Sequence, residues 1–372
     1  MPTCLELFSG IGGFAAACQR LNQQQSPAMP TAAPWTIVQA IDISQRCQEI
    51  YASNFSHPCQ IASIETLPLD RLSEYEADVW WMSPPCQPFT RRGIGKDISD
   101  RRCAALLNLI QWLLKKGSSQ SKPEWLLLEN VPPFQHSQAA DHLRAAMRVA
   151  GFEWQEFVFC PTQLGIANRR KRFYLIAGRQ DSFAQCSSTI VQQAAIINAG
   201  LPVDTTIQST AIRAIPDVVN EANWLDPTLR LPPAIEHQYR HAIDLVSETD
   251  RLAVSACFTA AYGRSPVRSG SYLCRDDRAG QTSHIRRFAP QEILNLLGFP
   301  AGYRLPTKQF QQFPVGASSS WASSSGPSSS AASPPWPSPS WHPHAAAWKA
   351  VGNSLSVDAI CWLLQLIDPM GE

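Results

Sequence analysis

Thr3-Cys4-Leu5-Glu6-Leu7-Phe8-Ser9-Gly10-Ile11-Gly12-Gly13 opens the chain with a short apolar run and a turn that holds three glycines in four positions. The run reads as a strand and the residues after Gly13 as a helix, so the glycines join β to α where any Cβ would keep a ligand off the backbone. Taken alone, the pattern equally describes a tight βα turn with no ligand. Similar apolar segments recur at 36–41, 78–83, 124–129, 154–159 and 172–177, each followed by loop residues and a helical pattern. That rhythm predicts an α/β fold of βαβ units with a mostly parallel sheet. Ligands of such sheets sit beyond the carboxyl ends of the strands, which is where chemistry should be sought.

The residues at those strand ends are unusual ones. Asp42 closes the second segment, where an acid suits ribose hydroxyls; an ordinary helix cap ahead of Ser44 is the competing reading. Pro84-Pro85-Cys86-Gln87-Pro88-Phe89-Thr90 follows Val79-Trp80-Trp81-Met82, so a cysteine is held in a loop that three prolines stiffen. A buried structural thiol does not account for that setting. Glu129 follows Trp125-Leu126-Leu127-Leu128, and desolvation there would raise its pKa and favour a proton donor, against a capping or surface acid. Arg170 and Arg172 precede and enter Phe173-Tyr174-Leu175-Ile176, so strand alternation aims them at one face, unless Asn168-Arg169-Arg170-Lys171-Arg172 is simply a solvated basic run.

At 372 residues the chain is long enough for one large domain and a smaller one. The first part of the larger domain is expected at 1–180, a smaller domain at 181–285 where the alternation breaks down, and a return to the larger one at 286–312 and 348–372. A helix over Pro290–Leu297 is expected to end at Gly298, and a buried helix is expected between Ser354 and Ile367. Residues 22–34 read as a surface loop, and the Ser, Pro and Ala of 313–347 as a disordered insertion, since they offer too little aliphatic surface to offset ordering entropy.

Net charge is only +1, so a nucleic-acid partner would have to be held by local clusters such as Arg91-Arg92, Lys96 and Arg101-Arg102. The eleven cysteines include no C-x-x-C pair, which disfavours a zinc site or a full disulfide framework and suggests a reducing compartment. No metal is expected. With no leader-like start and no membrane-length apolar run, a cytoplasmic or nuclear monomer is the expectation.

In this order, FSGIGG, the Asp42 strand, PPCQPFTR, LLLENV, RRKRFYLIA and the late AVGNSLSV at 350–357 resemble the cytosine-C5 methyltransferase family. The finer likeness is to its branch that methylates cytosine 38 of aspartate tRNA, carried by 82–91, by Pro161-Thr162-Gln163-Leu164-Gly165-Ile166-Ala167-Asn168 and by Cys257-Phe258-Thr259 with Tyr262-Gly263. A lysine commonly follows that triplet in the branch, whereas this chain has Ala260.

The resemblance implies a Rossmann-like methyltransferase fold with a seven-stranded, mostly parallel sheet, a small target-recognition domain and S-adenosyl-L-methionine as cofactor. It assigns cofactor binding to Phe8, Gly10, Ile11, Gly12, Asp42, Ile43, Ile64, Pro84, Asn353 and Ser354. Substrate binding falls to Gln87, Thr90, Arg91, Cys257, Phe258 and Thr259, and catalysis to Cys86, Glu129, Arg170 and Arg172.

The chemistry needs those types. Cytosine C5 is too weak a nucleophile until a thiolate, here Cys86, adds at C6, while a protonated Glu129 supports N3. Flipping the base is cheaper from a tRNA anticodon loop than from a duplex. A DNA cytosine-C5 methyltransferase would share every catalytic residue. A nucleic-acid-binding relative without turnover is the rival of another class, prompted by the insertion at 313–347, which reads as a lineage-specific loop or as translated intron sequence.

Overall fold

The computed structural model describes residues 2–24, 34–90, 96–119, 123–203, 213–276, 282–306 and 342–367. In chain order the central strands are β1 (Thr3–Leu7), β2 (Thr36–Asp42), β3 (Cys59–Ile61), β4 (Val79–Met82), β5 (Trp125–Asn130), β6 (Phe152–Phe159) and β7 (Arg172–Arg179). The helices between them are α1 (Gly13–Gln24), α2 (Gln45–Ala52), α3 (Leu69–Glu74), α4 (Ala104–Lys115) and α5 (Gln138–Val149). The sheet order is β3-β2-β1-β4-β5-β7-β6, parallel from β3 to β5, with β7 antiparallel to both β5 and β6. The order reverses at β1, between β2 and β4, so the ends of β1, β2 and β4 meet around the crevice where such folds bind ligands.

The buried strands explain why the sequence reads as continuous apolar runs. Along β4 and β5, Val79, Trp81, Trp125 and Leu127 join the core on one face, and Trp80, Met82, Leu126 and Leu128 that on the other. Each side chain so buried stabilises by roughly 1.5–3 kcal/mol relative to exposure. Helices α4 and α5 cover one face, where Trp80 and Trp112 lie 4.5 Å apart between ring centroids. Phe14 of α1 stacks on Trp81 at 5.1 Å on the other.

The later elements are α6 (Gln180–Asn198), α7 (Ile215–Val218), α8 (Pro233–Tyr239), β8 (Asp244–Ser247), β9 (Ser271–Asp276), β10 (Thr282–Arg287), α9 (Pro290–Leu296), α10 (Ala345–Gly352) and α11 (Val357–Leu366). Strands β8 to β10 form a small sheet in the order β10-β9-β8. Its apolar residues Leu273 and Ile285 belong to the same continuous core as Cys4 and Trp81. Helix α6, which a boundary at 181 hands to the smaller unit, packs on β6 and β7.

Two sequence boundaries are corrected. Residues 22–24, expected in a loop, continue α1 because Leu21 and the residues before it pack inward and carry the helix to Gln24; 25–33 lie outside the described residues. The expected disorder of 313–341 also falls outside them, but 342–347 is folded: His342 and His344 pack on Trp348, at 4.6 and 5.4 Å between centroids, and α10 starts at Ala345. No helix among the described residues is long and apolar enough to cross a membrane.

Candidate active site

The turn after β1 is set by two carboxylate contacts. Asp42, at the end of β2, accepts from the Gly10 amide at 2.8 Å through Oδ2 and from the Ser44 amide at 2.7 Å through Oδ1. It therefore ties the glycine turn to the start of α2, whose cap is the Ser44 side chain accepting from Cys47 N. Burial raises the Asp42 pKa, and the amides of Ser44, Gly10 and Ile43 oppose the rise. Gly10 has φ +53° with open space where a Cβ would stand, so the backbone there is free for a ligand. Gly12 serves packing instead: a Cβ would lie 2.4 Å from Phe55 Cε2.

Beneath this turn lies a buried polar chain. Tyr51 Oη is 2.5 Å from Glu6 Oε2 and 2.6 Å from His57 Nε2. Burial pushes the Glu6 carboxyl up to about 8 against the pull of Tyr51 and the Ala15 and Phe14 amides, and burial pushes His57 down to about 4. Tyr51 Oη donates to Glu6 Oε2, and its oxygen also meets the ring nitrogen of a neutral His57.

The Pro84–Thr90 loop is anchored at both sides. Ser83 Oγ donates to Phe8 O at 3.0 Å, and Asn130 Nδ2 donates to Pro84 O at 3.2 Å, so the loop is fastened to the ends of β1 and β5. A single 3-10 turn over Gln87–Phe89 follows, with Phe89 edge-on to Phe134. Cys86 is half-buried at its start.

Two arginines link Glu129 to Cys257 and line the same cavity as Cys86. Arg172 Nε lies 3.1 Å from Glu129 Oε1, and Arg172 Nη2 and Arg170 Nη1 each donate to Cys257 Sγ at 3.6 Å. Arg170 is 3% exposed and also donates to the carbonyls of Phe258 and Ser354, so it pins the triplet Cys257-Phe258-Thr259 to the turn after α10. Burial raises the pKa of Glu129, opposed by Arg172 and Arg170. Burial and then Glu129 raise that of Cys86, opposed by the same two cations. For Cys257, burial is outweighed by Arg170 and Arg172, and its thiol is lowered.

One cavity of about 920 Å³ connects these parts. Phe8, Gly10, Asp42, Ile43, Ile64, Pro84 and Asn353 line it together with Cys86, Gln87, Glu129, Arg170 and Arg172. That size suits a nucleoside-sized cofactor beside a single base. Ile43, 72% exposed, and Ile64 from the loop after β3 offer apolar surface for a flat ring.

Other residues singled out in the sequence lie behind this wall. Ile11 is in the core, its carbonyl accepting the Tyr303 hydroxyl, and Ser354 is buried with its carbonyl on Arg170. Phe258 is 1% exposed. Thr90 donates back to Gln87 O, Thr259 abuts Gly352, and Cys257 meets the cavity through Arg170 and Arg172; Arg91 lies outside the described residues. Ser44, Arg46, Arg101, Arg102 and Lys349 also line the cavity. Sequence reasoning gave Arg101 and Arg102 only a general basic role and did not single out Lys349, which lies one helical turn before Asn353.

Comparison with known proteins gives the family and the fold. The family model for C-5 cytosine-specific DNA methylase matches residues 2–316. The tRNA (cytosine(38)-C(5))-methyltransferase of Bos taurus is 30% identical, covering 81% of this chain and 91% of the relative; that of Schizosaccharomyces pombe is 31% identical, covering 80% and 85%. The crystal structure of the S. pombe Dnmt2 methyltransferase superposes with a TM-score of 0.71 at 23% identity over all of both chains, a likeness of fold. With the family model spanning most of its length, over a cavity that joins a glycine turn to a proline-held cysteine, the chain belongs to the C-5 cytosine-specific DNA methylase family.

Proposed function

We propose that this protein transfers a methyl group from S-adenosyl-L-methionine to C5 of cytosine in tRNA, at position 38 of the anticodon loop of aspartate tRNA. The observation that carries it is that one cavity is lined both by Cys86, Glu129 and Arg172 and by the Gly10–Asp42 turn. The tRNA substrate is supported by relatives 30% and 31% identical over most of both chains, which bear that activity in their names.

The residues divide the work. When bound along Phe8, Gly10, Asp42, Ile43 and Asn353, the cofactor supplies an electrophilic methyl on a sulfonium. Cys86 gives its thiolate pair to C6, forming an S–C bond and shifting ring electrons toward C5 and N3. Arg172 and Arg170 favour the thiolate, while desolvation and Glu129 oppose it, so the anion forms most readily when Glu129 holds its proton. The protonated Glu129 then offers that proton to N3. C5 would take the methyl as the sulfonium leaves as a neutral thioether; loss of the C5 proton to a base then returns the S–C6 pair to sulfur, and the N3 proton goes back to Glu129.

Bisulfite sequencing of aspartate tRNA after incubation with cofactor and either wild-type protein or Cys86→Ala tests this reading. Methylation by the first and none by the second is expected. Labelled methyl entering unmethylated duplex DNA but not tRNA would transfer the site to DNA and overturn the substrate assignment.

A further inference from the structure

The segment after the Cys257–Thr259 triplet folds into a short, closely braced loop that the chemistry above does not use. Arg264 N and Ser265 N both donate to Ala261 O at 2.9 Å. Ser265 Oγ donates to Val267 O at 3.0 Å, Ser269 Oγ donates to Ser265 O at 2.6 Å, and Thr259 N donates to Ser269 O at 2.9 Å. Both ends are wedged against aromatic rings: a Cβ on Gly263 would lie 2.2 Å from Trp348, and one on Gly270 2.5 Å from Phe258. Gly263 and Gly270 thus mark where the loop is pressed onto α10 and onto the triplet. The loop is a rigid extension of the wall that contacts Arg170.

Two arginines project from it. Arg264 and Arg268 are exposed, and neither meets a carboxylate among the described residues, unlike Arg240, Arg251 and Arg275, which pair with Glu236, Asp217 and Glu221. Arg268 has φ +55°, a left-handed backbone that a β-carbon residue adopts only at a penalty. A surface arginine kept in that conformation calls for a use.

The start of the loop packs directly against a residue that lines the cavity. Gly352 and Lys349 line the cavity, and a Cβ on Gly352 would lie 2.3 Å from the Thr259 carbonyl and 2.6 Å from Ala260 N. Arg264 Nη2 donates to Ala260 O at 2.8 Å, so its guanidinium sits one peptide behind that wall. Ala260 itself brings no charge; Arg264, reaching back over it, does.

We infer that Arg264 and Arg268 form a phosphate-binding rim that grips the RNA backbone beside the target cytosine, together with Lys349 of α10, which lines the cavity. The inference rests on the tRNA reading and adds the element that holds the strand. Guanidinium groups suit this role because their planar donors match phosphate oxygens. A rim made rigid beforehand loses little entropy on binding and keeps the displaced base over Cys86.

The test measures binding of labelled aspartate tRNA by fluorescence anisotropy over a range of KCl concentrations, and methyl-transfer kinetics on tRNA and on unmethylated duplex DNA. The proteins are wild type, Arg264→Gln, Arg268→Gly and the double variant, all full-length and with S-adenosyl-L-methionine. Glycine at 268 keeps the left-handed backbone while removing the charge, and Arg264→Lys restores a cation. Each single loss should weaken tRNA binding several-fold and make the slope of log affinity against log salt shallower by about 0.7–0.9. The KM for tRNA should rise, with kcat at saturating tRNA and the cofactor KM unchanged, and Arg264→Lys should recover most of the slope. Unchanged affinity and slope in the double variant, while wild type methylates tRNA, overturn the rim and leave the substrate reading standing. A wild type that methylates DNA alone overturns the substrate reading, and the anisotropy slopes still decide whether the two arginines hold RNA phosphates.

Discussion

Arg172 and Glu129 face each other across the antiparallel pair β5 and β7, Nε to Oε1 at 3.1 Å, with Cys257 Sγ on the other side of the guanidinium at 3.6 Å. A cation so placed sets the ionisation of both reacting groups. It lowers the pKa of Glu129 and of Cys86, each of which burial raises.

Replacing Arg172 by Gln should therefore move both groups upward. The thiolate limb of the pH–rate profile shifts to higher pH, because the nucleophile loses a stabilising charge, and the Glu129 proton is held to higher pH as well. With kcat at neutral pH expected to fall by about 10²-fold or more, the profile and not the rate alone is the measurement that matters. A profile of unchanged shape would mean that Arg172 acts elsewhere.

Asp42→Ala removes the acceptor for the Gly10 and Ser44 amides together with the acid facing the cavity. With the acid gone from the cavity and the glycine turn untied from α2, S-adenosylmethionine affinity should drop by about 10–10²-fold in calorimetric titration. The loop around Cys86 is anchored separately, by Ser83 and Asn130, and thermal stability should fall as well, since both lost bonds tie the glycine turn to α2.

Glu6 links stability to pH. Its folded pKa of about 8 lies above the ordinary 4.5, so the native state keeps a proton that the unfolded chain releases across that window. The contribution of protonated Glu6 is complete below pH 4.5 and is lost as pH rises through 8. The full linkage is on the order of 5 kcal/mol. Glu6→Gln, which mimics the protonated acid toward Tyr51, should lose less stability than wild type between pH 6 and pH 9 in denaturant titrations. Parallel curves for the two proteins would show that Glu6 does not titrate in that range.

Asp358 is fully buried in α11, and Arg20 of α1 and Arg213 each meet it at 2.7 Å. Asp358→Ala leaves two partly buried cations without their anion, a loss of about 3–5 kcal/mol. Because α1 carries the glycine turn, urea unfolding and cofactor affinity should both weaken.

The parts of this molecule that were legible in the sequence are those written in local residue types. Pro84, Pro85 and Pro88 announce a stiff loop around Cys86, and the apolar runs before Asp42, Pro84 and Glu129 announce buried strands. Strand β3 was missed because three residues, one half-buried and two exposed, carry no period. The reason for Gly12 was also hidden, since only the fold brings Phe55 and Tyr51 against it. Arg170 could be assigned to the site, but what it does there could not be read. Its partners, the carbonyls of Phe258 and Ser354, are far along the chain and meet it only after the smaller sheet and the last helices have closed on the central one. The folded stretch 342–347 reads as low-complexity sequence because its anchors, Trp348 and Thr228, lie outside it.

Covalent addition by Cys86 is tested most directly by trapping it. Aspartate tRNA carrying 5-fluorocytosine at the target position cannot release fluorine as it would a proton, so the S–C6 bond should persist after methyl transfer. Wild-type protein with S-adenosylmethionine is expected to give a denaturation-resistant protein–RNA complex whose cross-linked peptide contains Cys86, and Cys86→Ala to give none. Methylation of ordinary tRNA with no trapped complex on the fluorinated one, or a complex that forms equally with Cys86→Ala, would contradict it.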